Sequence, residues 1–258
     1  MYKMKKIKYA VGDIGNTLTK ISLLNKKFNI VKSYNIETKE LFNKTKNSIF
    51  FRKILNKSLT KKILFSSVVP SAYKIIKLQL KKKNFKSIEI KDLNLKKIIK
   101  IKVKKAKELG SDRISNAVGS LHFYKSNIIV IDFGTATTFD IINKPNSYVG
   151  GVIAPGINSS IVNLKDSTEL LPIINLKFKR KNYGKNTKDA INSGFLWGYQ
   201  GLINNIIEKI CSSNRVKYKI ILTGGYAHIF KKLISKKPVI DQNITMKGII
   251  KIYKDLLI

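Results

Sequence analysis

Two stretches 119 residues apart, VGDIGNTLTK at 11–20 and VIDFGTATTFD at 130–140, follow one plan. An apolar run delivers an aspartate, Asp13 or Asp132, and glycine and hydroxyl residues follow at once. A strand that ends in Asp-x-Gly and turns back as a second strand has little freedom. Its carboxylate sits at the lip of a hairpin, and its glycine lets the backbone approach a ligand closely. The neighbouring segments extend the likeness. In the first half, 7–14 and 18–24 read as two strands and 28–36 as a third, followed by a helix-like stretch over 39–59 and a buried strand over 62–70. SAYKIIKLQLKKKN then has helical spacing and SIEIKDL is extended. GSDRISNAVGSLHFY puts Ile114, Val118 and Leu121 on one helix face, with Asp112 and Arg113 in the first turn. In the second half, 127–142 is again strand, turn and strand. SYVGGVIAPGI is a third strand, 187–210 one or two helices, and YKIILTGGYA a buried strand that runs into a helix. The expectation is an α/β chain with a duplicated plan, divided as 1–124 and 125–258; two unrelated hairpins in an ordinary α/β protein would account for the pieces but not for their common order.

Composition narrows the function classes. With 258 residues and 43% hydrophobic content the chain can bury a sizeable core. The net charge of +36 invites a nucleic-acid reading, but only Arg52, Arg113, Arg180 and Arg215 are arginines, and base recognition leans on Arg. Lys, Ile and Asn, residues with A/T-rich codons, are abundant together, so runs such as LKKKNF read as solvated faces. No specific nucleic-acid partner is expected. Cys211 is the single cysteine, which excludes an internal disulfide framework. The basic start is interrupted by Asp13 before a signal-peptide core can form, and no run is long enough for a membrane span. A cytoplasmic protein without membrane partners is expected.

The two hairpins carry the chemistry of a phosphate clamp. Gly15 and Gly134 admit an anion to the backbone, Thr17 and Thr135 offer hydroxyls, Asp13 can hold Mg²⁺ through water, and Lys20 can neutralise phosphate charge. The glycine-rich lysine loop of the P-loop enzymes is absent. Gly224 and Gly225 in LTGG leave room for a nucleoside, or simply form a tight turn. Arg113 is the only Arg between Arg52 and Arg180 and stands next to Asp112, a pairing suited to an anionic substrate whose hydroxyl proton the carboxylate accepts. At a helix N-terminus Asp112 is expected to stay ionised and weakly basic, or to serve only as a cap. Gly194, Gly198 and Gly201 mark a close helix approach, inside the domain or at a dimer seam, and Trp197 is expected to pack between helices.

Taken in order over almost the whole chain, DIGNTLTK, GSDR, DFGTATTFD, GGVIAPGI, LLP, GKNT, AINSGFLWG and LTGG resemble the type III pantothenate kinases. These belong to the superfamily of acetate kinases, sugar kinases, actin and heat-shock chaperones. The resemblance implies two duplicated ribonuclease H-like (actin-like ATPase) domains with an ATP cleft between them. It also implies ATP-dependent phosphorylation of pantothenate to 4′-phosphopantothenate, the first step of coenzyme A biosynthesis. The implied ATP contacts are Asp13, Ile14, Gly15, Asn16, Thr17, Leu18, Thr19, Lys20 and Thr135, and the implied pantothenate contacts are Gly110, Ser111, Asp112, Arg113 and Thr187. Asp112 would be the catalytic proton acceptor and Asp132 the ligand of a monovalent cation, K⁺ or NH₄⁺, beside the Mg²⁺ expected at Asp13. A homodimer is implied as well. The chain departs from the family at Val103, Lys104, Lys105 and Ala106, where Tyr-Asp-Asn-Pro is usual and the Tyr touches substrate. A non-catalytic transcriptional accessory protein of the same family, and a superfamily kinase for another small substrate, are the rival readings.

Overall fold

The computed structural model describes residues 7–55, 59–179, 182–214 and 216–258. In the first half, β1 (Ile7–Ile14), β2 (Leu18–Asn25) and β3 (Ile30–Glu37) form a meander, followed by α1 (Lys44–Ile54), β4 (Lys62–Ser67), α2 (Pro70–Lys81) and β5 (Lys86–Glu89). Then come the short β6 (Lys100–Ile101) and α3 (Ser111–Tyr124). The second half runs β7 (Ile128–Phe133), β8 (Ala136–Asn143), β9 (Ser147–Pro155), α4 (Ile157–Asp166), α5 (Thr187–Asn214), β10 (Lys219–Gly224), α6 (Ala227–Phe230), β11 (Val239–Ile240) and α7 (Ile244–Leu257).

The duplication is visible in the sheets. One has the order β3-β2-β1-β4-β5, and β9-β8-β7-β10-β11 repeats that order strand for strand. In both, the Asp-bearing strand is antiparallel to its hairpin partner, β2 or β8, and parallel to the buried strand that follows, β4 or β10. The hairpin registers differ by one residue, because the second turn is one residue shorter: Ile14 pairs with Thr19 but Phe133 with Thr137. Asp13 lies opposite Lys20 and Ser66, and Asp132 opposite Thr138 and Thr223.

The chain groups into two compact units: 1–124 with 146–148 and 243–258, and 125–145 with 149–242. Residues 243–258, which follow the second half in sequence, thus join the first unit. The cause is α7, whose Gly248 lies so close to Ser115 of α3 that any side chain there would strike backbone, while Thr245 Oγ1 donates to Asn116 at 2.7 Å. In the first unit Ile14, Ile21, Leu23, Ile63 and Phe65 pack with Ile76 and Leu80 of α2; in the second, Ile129, Ile131, Leu222 and Phe230 pack with Leu196, Ile203 and Ile207 of α5. Each such side chain contributes roughly 1.5–3 kcal/mol on burial. Trp197 is half-buried against this second core.

Several boundaries differ from the sequence reading for local reasons. The helix expected over 39–59 is a 3₁₀ turn at Thr38–Phe42 and then α1, because Asn43 accepts from the amides of Thr45 and Lys46 at 3.0 Å and starts a new helix. The strand expected to reach residue 70 stops at Ser67, since Pro70 opens α2. SIEIKDL leaves the extended state after Glu89 and turns as 3₁₀ over Ile90–Asp92. Residues 187–214 are one helix. No described helix is long and apolar enough to cross a membrane.

Candidate active site

In the first unit three parallel strands, β1, β4 and β5, bring their carboxyl ends to one edge, the usual place for a ligand in such sheets. Asp13, Ser66 and Ser67, and Glu89 stand at those ends. The β1–β2 turn closes through Gly15 N donating to Leu18 O at 3.0 Å. Thr38 clamps it from behind: its amide donates to Thr17 O at 2.9 Å, its hydroxyl donates to Gly15 O at 2.6 Å, and Thr19 Oγ1 lies 3.0 Å from it. Asn16, Thr17 and Leu18 are therefore exposed on a fixed loop, whereas Ile14 and Thr19 are fully buried and can offer a ligand only backbone. Thr38 escaped the sequence reading because nothing local ties it to residue 15.

Asp13 is partly buried. Burial pushes its carboxyl up to about 6, and the nearby Asp112 carboxylate adds to the rise; the Ser66 hydroxyl and the Lys20 ammonium act in the opposite direction. The start of α3 lies near the end of β1: a Cβ on Gly110 would stand 3.5 Å from Val68 Cγ1, and Val68 N donates to Ile14 O at 3.1 Å. Gly110 O accepts the first helical bond of α3, from Ile114 N at 3.1 Å. Asp112 follows in the first turn, with Oδ1 accepting from Arg113 N at 2.7 Å. Its pKa is raised, which leaves the carboxylate more basic than a helix N-terminus alone would make it. Burial outweighs the downward pull of the Arg113 amide, the Arg113 guanidinium and the Lys91 ammonium. The Arg113 guanidinium lies 5.8 Å from the centre of the Tyr148 ring. Ser111 is fully buried and its hydroxyl donates to Glu89, so its side chain is not presented to a ligand.

In the second unit Asp132 stands at the end of β7, and Gly134 N donates to Ala136 O at 3.1 Å to close the counterpart turn. Thr135 is exposed there, and its carbonyl accepts from Ser159 Oγ at 3.0 Å. Gly224, with φ of 83°, brings the end of β10 against this turn. A Cβ on it would lie 2.6 Å from Phe133 O and 2.7 Å from Asp132 Oδ1. Only glycine tolerates both the dihedral and the crowding. LTGG is accordingly a tight turn that packs on Asp132. Thr187 is exposed at the first position of α5, where Asn186 Oδ1 accepts from Asp189 N at 2.9 Å and caps the helix. Among the described residues nothing lies within 4 Å of the position a Cβ would take on Gly194, Gly198 or Gly201, so these glycines mediate no close approach there.

Asp13 is a lone hard carboxylate with a second one, Asp112, in its field, which suits a divalent ion held largely by water and phosphate. At Asp132 the carboxylate and the Phe133 carbonyl, which accepts from Gly225 N at 3.1 Å, both lie against Gly224, so this carboxylate is the donor that an ion would use. Among the described residues no three His, Cys, Asp or Glu side chains group as a protein-only metal cage.

Residues 10–209 match the family model of type III pantothenate kinase. Over 93% of its length the chain is 46% identical to a type III pantothenate kinase of Pelagibacter ubique, 96% of which is covered. The chain belongs to the type III pantothenate kinase family. A second family member, from Sulfurihydrogenibium, is 37% identical over 92% of the chain and 96% of its own length. Among solved structures, a Campylobacter jejuni protein assigned to the Baf family of transcriptional activators aligns with TM-score 0.63 at 21% identity, covering 95% of this chain and 98% of its own. The activator of 2-hydroxyisocaproyl-CoA dehydratase from Clostridium difficile, solved with bound ADPNP, gives 0.53 at 12% over 96% and 94%. These two likenesses establish the actin-like ATPase fold. The departure from the family motif, Val103 to Ala106, lies between β6 and α3, with Val103 half-buried and Lys104, Lys105 and Ala106 exposed.

Proposed function

We propose that this chain transfers the γ-phosphoryl group of ATP to the primary hydroxyl of pantothenate, the first step of coenzyme A synthesis, in the cytoplasm. What supports the reading is the family match together with the placement of Asp112 and Arg113 in the first turn of α3, whose start lies near the end of β1 that carries Asp13. Asp112 accepts the hydroxyl proton as the substrate oxygen bonds to the γ-phosphorus, and the bond from that phosphorus to the β–γ bridging oxygen breaks, releasing ADP. A carboxylate raised by burial accepts a proton more readily than a free one, and a loose phosphoryl-transfer transition state needs no stronger base. Arg113 holds an anionic substrate, and Gly110 and Thr187 complete the pantothenate contacts through backbone and hydroxyl. The Asp13–Lys20 loop contacts ATP, with Thr135 a further contact. Asp13 would hold Mg²⁺, which when bound offsets phosphate charge, and Asp132 would hold K⁺ or NH₄⁺. The protein works as a homodimer and without a specific nucleic-acid partner. Purified protein with ATP, Mg²⁺ and pantothenate is expected to yield 4′-phosphopantothenate by mass spectrometry, and Asp112→Asn to lose on the order of 10²–10⁴ in turnover. No product from folded protein would sink the assignment.

A further inference from the structure

Glu89, the last residue of β5, is a carboxylate that the proposed reaction does not use. It is 9% exposed, and burying a carboxylate costs several kcal/mol unless donors surround it. Two do: Ser111 Oγ donates to Oε1, and Lys91 N donates to Oε2 at 2.6 Å. Each donor leads to Asp112. Ser111 is its immediate neighbour and the first residue of α3, fully buried with its hydroxyl committed to Glu89. Lys91 carries one of the positive charges that act on the Asp112 carboxylate, and its Nζ reaches back to Lys107 O at 3.3 Å. The strand register supplies the third coordinate. Glu89 pairs with Phe65, which pairs with Gly12, one residue before Asp13. One buried side chain thus ties the start of α3 and the Lys91 turn to the strand row next to Asp13.

We infer that Glu89 is a positioning residue for Asp112, holding the first turn of α3 through Ser111 so that the carboxylate keeps its place relative to Asp13. This rests on the reading of Asp112 as proton acceptor. A side chain that only stabilised the fold would lower the melting temperature and leave turnover per folded molecule alone. One that sets the reacting geometry lowers kcat, because a misplacement of about 1 Å can cost on the order of 10²-fold. The test is steady-state kinetics of the full chain with ATP and pantothenate for Glu89→Ala, Ser111→Ala, the double variant and Asp112→Asn. The expected result is a kcat about 10- to 100-fold down in both single variants, with the KM for ATP within about 3-fold of the parent. The double variant should be no slower than Glu89→Ala, since the two residues act as one unit. Parental kcat in either folded single variant overturns the inference, as does a KM for ATP that rises in step with the kcat loss. So do single-variant losses that multiply in the double variant. Should Glu89→Ala fail to fold, Ser111→Ala, which removes one hydroxyl, decides alone by its kcat. Near-parental turnover in Asp112→Asn would bring down the reading of the site itself. An inactive Asp112→Asn beside a fully active Ser111→Ala would bring down only the role of Glu89.

Discussion

Asp13 is costly to the ligand-free protein, and the sign of that cost can be worked out. Its folded pKa of about 6 exceeds the unfolded value near 3.8. Between those values the native state holds a proton that the unfolded chain releases, so the contribution of Asp13 to stability falls as pH rises through about 6. Above that the full penalty is present, of the order of 1–3 kcal/mol. Asp13→Asn should therefore raise the apparent Tm at pH 8 by several degrees in thermal scans without ligand, the gain fading toward pH 4, while turnover is lost. A lower Tm at every pH would show that the carboxylate is not strained by burial. Asp132 poses a different question, because its register partners Thr138 and Thr223 are hydroxyl residues where Asp13 has Lys20 and Ser66. Hydroxyl residues beside the Asp132 carboxylate are the residue types that can add oxygen ligands to a bound cation. Turnover is expected to require K⁺ or NH₄⁺, to respond poorly to Na⁺, and to lose the dependence with most activity in Asp132→Ala. Equal rates with each chloride salt at matched ionic strength would remove the cation from the mechanism.

The helix pair α3 and α7 shows how one element is held in place for chemistry by another far away in sequence. Asp112 rides on α3, and α3 is buttressed where Gly119 and Gly248 let two backbones meet, with Ile244 O 2.5 Å from the place of a Gly119 Cβ. Gly248→Ala gains helix propensity of about 1 kcal/mol but must push α7 off Ser115, so a net loss of about 1–3 kcal/mol is expected in chemical denaturation. Unchanged stability would mean that the helices slide apart freely. This contact also marks the limit of reading by pattern. The hairpins, the parallel strands after them and the Asp-x-Gly turns were readable because period-two alternation and turn residues act over a few positions. The same holds for Asp112 and Arg113, whose motif is contiguous. The motifs left α7 unassigned, since its partner lies more than 100 residues upstream. α4 was missed because an apolar run before it reads on as strand. Thr38 and Glu89 carried no signal, because each matters only through a hydrogen bond to a residue brought near by folding. For Ser111 the motif supplied the position, but only packing reveals that its hydroxyl points inward.

At the scale of the whole molecule, the net charge of +36 and the bare face of α5 pull in opposite directions. Gly194, Gly198, Phe195, Tyr199 and Leu202 line a groove of about 350 Å³ that Pro155 and Leu164 complete. Phe195 and Pro155 also border an open, largely apolar cavity of about 960 Å³ beside Thr135. Small residues whose Cβ positions meet no described residue within 4 Å, set in an apolar groove, fit the backbone of a second copy, and two-fold symmetry would pair the groove with itself. Two chains of this charge repel over the Debye length, about 10 Å at 0.1 M salt. Association through the groove should therefore tighten as salt rises, the reverse of an interface built on ion pairs. Gly198→Glu separates this from a packing defect. A Cβ at this position meets no described residue within 4 Å and a better helix former replaces glycine, so melting should hold or improve, whereas a carboxylate in the seam would be buried without a donor. Light scattering is expected to give a dimer for the parent at 0.3 M KCl and a monomer for Gly198→Glu, with activity falling alongside assembly. A parent that is monomeric and fully active across salt concentrations would leave the groove without its proposed occupant, and a Gly198→Glu variant that still dimerises would move the seam elsewhere.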